Sequence, residues 1–130
     1  MTDPKIAAVQ GALAAFADRD IDRMFTFLTE DVSWQTPGRS PIAGDFRGTE
    51  QVRGYLELAI RLTADSIRVA PVDILVGREH VAIVVDVTGE RAGRVLADRA
   101  IQIFLFRGDR IAARRIYPAD QAAWDSFWSG

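Results

Sequence analysis

The sequence holds 130 residues, 48% hydrophobic and 26% charged, which is one domain's length and an ordinary globular composition, too apolar for disorder. Sixteen basic against 18 acidic residues leave a net charge of −2, and the arginines are scattered, which argues against a nucleic-acid partner. With no cysteine and His80 as the one histidine, disulfides, thiolate chemistry and multi-histidine metal sites fall away, and no metal or cofactor is expected.

The N-terminus carries acids where a signal peptide needs bases, and no apolar run approaches the roughly 18 residues of a membrane span. A single cytoplasmic domain over residues 1–130, with no membrane partner, is therefore expected. Asp3-Pro4 opens the first helix, Asp as cap and Pro at the first helical position. Ile6, Val9, Leu13 and Phe16 give it one apolar stripe. Asp20 caps a second, shorter helix carrying Met24, Phe25 and Leu28. Val32 to Thr36 alternates as a strand. Residues 37–48 hold two Pro and three Gly and read as a loop or irregular hairpin. Thr49 is the expected cap of a third helix, with Val52, Tyr55, Leu56, Ala59 and Ile60 on one face.

From Ser66 the period drops from 3.6 to 2. Ile67 to Val76 is a strand broken at Pro71, the mark of a bulge or an edge. His80 to Glu90, Arg94 to Arg107 and Arg110 to Pro118 follow, joined by connections of hairpin length. Trp124, Phe127 and Trp128 belong to a short C-terminal amphipathic helix. Helices first and antiparallel strands afterwards make an α+β fold.

Charge fixes the strand register. Setting Asp86 opposite Asp98 is unfavourable, whereas a one-residue shift sets Asp86 opposite Arg99. A two-residue turn at Gly108-Asp109 then pairs Gln102 with Arg115, Ala100 with Tyr117 and Phe104 with Ala113. One face so carries Ile83, Val85, Val87, Asp98, Ala100, Gln102, Phe104, Arg115 and Tyr117. The other carries Val84, Ile101, Ile103, Leu105 and Ile116. Both faces are apolar, so helices are expected over one and a second copy of the chain over the other.

The segments AVQGALAAFADRDIDRMFTFLTEDVSW, WQTPGRSPIAGDFRG and FLFRGDRIAARRIYPAD, with a tail ending in FW, resemble the nuclear-transport-factor-2-like superfamily, and within it the SnoaL-like and ketosteroid-isomerase-like proteins. The resemblance implies a conical barrel, a curved antiparallel sheet wrapped by three helices around a deep pocket, commonly as a homodimer. Laid onto the isomerase pattern, the base falls on Thr36, the tyrosine donor on Ala12 and the protonated aspartate on Gln102. Thr36 and Ala12 cannot do that work. The acid that limonene epoxide hydrolase carries on its last strand falls on Arg115. SnoaL-like cyclases use a pocket aspartate, and Asp98 matches it by face alone.

The expected function is a cofactor-free SnoaL-like enzyme, cyclising, isomerising or adding water to a hydrophobic oxygenated metabolite. Asp98, Gln102 and Arg115 are the expected catalytic residues, and Trp34, Thr36, Tyr55, Val85, Phe104 and Tyr117 the substrate-binding ones. They should surround one cavity fit for a drug-sized ligand. The alternatives are a non-catalytic small-molecule binder and, third, an interaction module.

Overall fold

A computed structural model describes residues 3–129. Helix α1 (Pro4–Ala17) begins where Asp3 accepts a hydrogen bond from the Lys5 N–H at 2.8 Å, and α2 (Ile21–Phe25) where Asp20 accepts from the Arg23 N–H at 3.1 Å. Strand β1 (Leu28–Thr36) starts before Val32, and the Pro/Gly-rich segment contains a short strand, β2 (Gly44–Arg47), antiparallel to β1. Helix α3 (Gly48–Leu62) starts ahead of Thr49, which therefore does not cap it. The Arg47 N–H donates instead to the side-chain oxygen of Gln51 at 2.9 Å.

Strands β3 (Arg68–Val76), β4 (His80–Arg91), β5 (Arg94–Arg107) and β6 (Arg110–Pro118) follow, then α4 (Gln121–Trp128). The strand order is β2-β1-β6-β5-β4-β3. The expected α+β layout is present: three helices in the first half, with β1 and β2 between α2 and α3, then the run β3 to β6, then a short terminal helix. The sheet is open and mixed, because β1 lies parallel to β6 while every other neighbour is antiparallel. A break in register between Pro71 and Asp73 marks the bulge expected in β3. No described helix is long and apolar enough to cross a membrane.

The β4–β5 hairpin has the register that charge dictates. Asp86 faces Arg99 and Val87 faces Asp98. Arg99 grips the Asp86 carboxylate with two bonds of 2.9 and 3.1 Å. The β5–β6 hairpin differs from expectation. Its turn is the two-residue one at Gly108-Asp109, with Arg107 opposite Arg110, but the pairing slips after Phe106–Ile111 and resumes at Leu105–Ala113. Ala112 is the extra residue of a β-bulge. Side chains alternate with a period of two, so one inserted residue exchanges the faces of everything after it. Gln102 pairs with Ile116 rather than Arg115, and Phe104 with Arg114 rather than Ala113.

The inner face of the sheet and the helices enclose the core. Val81, Ile83, Val85, Val87, Phe104 and Ile116 come from the strands, and Val9, Phe16, Val52 and Leu56 from α1 and α3. Each large side chain buried there contributes about 1.5–3 kcal/mol. From the C-terminal side α4 adds Trp124, Phe127 and Trp128, all under 4% exposed. Polar residues of the sheet's inner face share this burial, Thr36, Gln102 and Arg114 among them.

Candidate small-molecule site

Arg114 is the unexpected resident of the core. The bulge at Ala112 turns it inward, and it is only 4% exposed. Its Nη1 donates to the Gln35 carbonyl and to the Thr36 hydroxyl, each at 3.0 Å, which ties β6 to β1. Its Nη2 lies 3.5 Å from the Tyr55 hydroxyl, and its Nε has no partner among the described residues. The guanidinium carbon sits 4.9 Å from the Trp34 ring centre and 5.7 Å from that of Tyr55, so two aromatic rings attract the cation through their π-faces.

Ion pairs such as Arg99–Asp86 and Arg107–Asp31 lie at the surface, and no described ion pair includes Arg114. Burial pushes its pKa below the ordinary arginine value, with the Tyr55 hydroxyl opposing the shift. At neutral pH the guanidinium keeps its proton. An unpaired buried cation of this kind costs several kcal/mol.

Hydrogen bonds run in one direction through this cluster. Thr36 accepts from Arg114 and so donates its own proton to the Tyr55 hydroxyl, at 2.9 Å. Gln102, 4% exposed on the neighbouring strand, has no side-chain hydrogen bond among the described residues. Tyr55, Gln102 and Arg114 all reach the wall of one cavity. The rest of that wall is apolar or aromatic, including Trp34, Phe104, Ile116, Trp124 and Trp128, and no described acidic residue belongs to it. Its free volume is about 60 Å³. That is room for about two waters, not the several hundred Å³ of a drug-sized site. The three tryptophans and Phe104 fill the space the sequence left open for a larger ligand.

Several expected residues stand where they were placed. Trp34, Tyr55, Phe104 and Gln102 form part of the wall, and Thr36 lies directly behind it. Val85 is fully buried on the same face but packs in the core away from the wall. Three others are elsewhere. Arg115 is exposed on the outer face, the bulge having exchanged it with Arg114, and Tyr117 follows it out, 49% exposed. Ile116, expected outside, is 2% exposed and part of the wall. Asp98 shares the inner face, but its carboxylate accepts the Ala119 N–H at 3.2 Å beyond the end of β6 and stays outside the wall. His80 is exposed, as expected.

The sequence carries no mark of the bulge that brings Arg114 in; the trace of it is in the burial pattern of β6. Ile111 and Ile116 are both buried five positions apart, an odd separation that strict alternation forbids and that one bulge restores.

This α+β fold, an open sheet under a helical cover with Tyr55, Gln102 and Arg114 at a cavity, has counterparts among known proteins. The chain matches the SnoaL-like domain family over residues 9–114 and belongs to that family. Rv0034, an uncharacterised protein of Mycobacterium tuberculosis, is 30% identical over 128 residues, 98% of each chain. Bal32a, from a soil-derived mobile gene cassette, superposes with a TM-score of 0.93 at 29% identity, over 96% of each chain. TerC, co-crystallised with polyporic acid, superposes with a TM-score of 0.86 at 19% identity, over 96% of this chain and 98% of that one. Structures described as NTF2-like and as having a ketosteroid isomerase-like fold also match. At these lower identities the likeness shows the fold alone.

Proposed function

We propose that this chain is a small-molecule-binding protein of the SnoaL-like type, taking a compact, largely apolar, oxygenated compound into the cavity between sheet and helices. The observation that carries this reading is the convergence of Tyr55, Gln102 and Arg114 on one otherwise apolar wall. Aromatic walls with a few fixed polar groups are the usual makeup of such sites. Ligand-bearing relatives of the fold, such as TerC with polyporic acid, point the same way.

The second reading, a cofactor-free enzyme, is favoured by the same convergence, since fixed donors in a dry cavity stabilise an oxyanion more strongly than water does. Against it, Asp98, the carboxylate proposed to move the proton, lies outside the wall. The binding reading therefore leads.

Trp34, Trp124 and Trp128 line the cavity, so their fluorescence reports its occupancy. Titration with small oxygenated compounds of graded size should quench that emission saturably and raise the melting temperature. A panel that changes neither contradicts the proposal. Conversion of a bound compound, followed by product analysis, would favour the enzyme, and an Asp98→Asn variant with undiminished turnover would remove Asp98 from it.

We also propose a homodimer formed through the outer sheet face. The apolar surface of Ile101, Ile103, Leu105 and Val84, partly or largely exposed in the single chain, supports it.

A further inference from the structure

Helix α4 closes the cavity from the C-terminal side with Trp124 and Trp128. It is the last element of the chain and joins β6 through Ala119 and Asp120 alone. It can therefore leave the wall without breaking a strand pairing or unwinding another helix.

Its seat is specific. Asp125 accepts from the Arg39 N–H, and the Gln121 amide donates to the same carboxylate oxygen, each at 3.2 Å. A side-chain carbon at Gly38, where φ is +107°, would collide with that carboxylate. At the other end the guanidiniums of Arg91 and Arg94, opposite each other across the β4–β5 turn, donate to the carbonyls of Ser126, Phe127 and Ser129. These clasps lie at or near the surface, where water competes for every donor and acceptor.

What the helix covers is less well provided. The indole N–H groups of Trp124 and Trp128 are buried without an acceptor among the described residues. Such burial costs free energy that returns when water reaches the group. With α4 seated, the free volume of about 60 Å³ takes about two waters. With α4 raised, the space of two indoles is added to it.

We propose, resting on the binding function above, that α4 is the lid of this cavity. It pivots at Asp120, while the Asp98 carboxylate holds the Ala119 N–H at the end of β6. The swing carries Trp124 and Trp128 out of the wall and admits a compound larger than the seated helix allows. Arg91 and Arg94 are the latch that sets how often the lid opens.

Hydrogen exchange of the intact chain in heavy water, followed by NMR and corrected for intrinsic rates, tests this. The Trp124 and Trp128 indole N–H groups should exchange through one shared opening. It should be at least about 100-fold more frequent than the opening of the β4–β5 ladder amides, which are released only with the whole fold. Arg91→Ala combined with Arg94→Ala should make the lid open about 10-fold more often, as the loss of charged hydrogen bonds predicts. Indoles that exchange no faster than the ladder amides overturn the lid, and that comparison needs no variant to fold. Rapid exchange at Trp128 with Trp124 still protected overturns it as well, because that is the fraying of a chain end. Indole exchange unchanged in the double variant overturns the latch. No bound compound is needed, so the result is independent of the titration that tests binding.

Discussion

Thr36 occupies the place where the isomerase pattern has its base, and its chemistry here is different. At 1% exposure it relays a hydrogen bond from Arg114 to Tyr55. Thr36→Val keeps the shape and removes the relay, leaving an Nη1 proton of Arg114 without one of its acceptors. Urea denaturation should show a loss of about 1–3 kcal/mol, as expected for orphaning a buried polar group. A neutral result would mean that Arg114 and Tyr55 find other partners at no cost. Residue types in this cluster were legible in the sequence: Trp34, Thr36, Tyr55, Gln102 and Phe104 all stand at or just behind the wall. Arg114 was hidden by its neighbour. Two consecutive arginines on a strand point to opposite faces, and only the register decides which one enters.

That register is a property of the element. Charge opposition fixed β4 against β5, because Asp86 and Arg99 announce their partnership. Nothing comparable marks β5 against β6, where the facing residues are mostly apolar or alanine and one extra residue at Ala112 costs little in local sequence. The helices were legible through their caps at Asp3 and Asp20. The start of α3 was not, because Arg47 has no side-chain cap and Thr49 lies inside the first turn. Strand β2 was hidden among glycines and prolines that usually punctuate loops.

The β4–β5 turn carries a correctable strain. Ala92 and Gly93 both have positive φ, 50° and 79°, the conformation of a type I′ hairpin that favours Asn-Gly. Alanine at the first position is the poorer choice, since its Cβ crowds the backbone there. Ala92→Asn should raise stability by about 0.5–1 kcal/mol in denaturant titration. A destabilised variant would show that Ala92 is held by contacts beyond the turn.

At the scale of the whole molecule, surface charge sets the acid limit. Asp31, Asp65 and Asp86 are each held below the ordinary carboxylate range by a hydrogen-bonded arginine, Arg107, Arg19 and Arg99 respectively. A lowered folded-state pKa stabilises the fold above the unfolded carboxylate value and loses that contribution as pH falls through the folded one. The melting temperature should therefore be insensitive to these pairs near neutrality and decline as pH drops below about 4. Added salt should shrink the decline, since the carboxylates are solvent-exposed. Asp86→Asn should weaken the acid sensitivity; an unchanged profile would exclude the Asp86–Arg99 pair as a contributor.

The outer sheet face is the other large-scale feature. Bulge formation removed Ile116 from it and added Arg115, yet Ile101, Ile103 and Leu105 still line it. Under the proposed dimer, Ile103→Glu should yield a monomer by light scattering at micromolar concentration, because a buried unpaired charge is not tolerated at an apolar interface. A monomeric unaltered chain would end the proposal.

The central claim, that the cavity walled in part by Tyr55, Gln102 and Arg114 takes a small oxygenated compound, has its most direct test in a crystal structure of the chain with a compound that quenches its tryptophans saturably. The account predicts density for that compound inside the cavity, with an oxygen within hydrogen-bond distance of the Tyr55, Gln102 or Arg114 side chain. The compound bound outside this cavity, or a cavity holding only water at a saturating concentration of it, would contradict it.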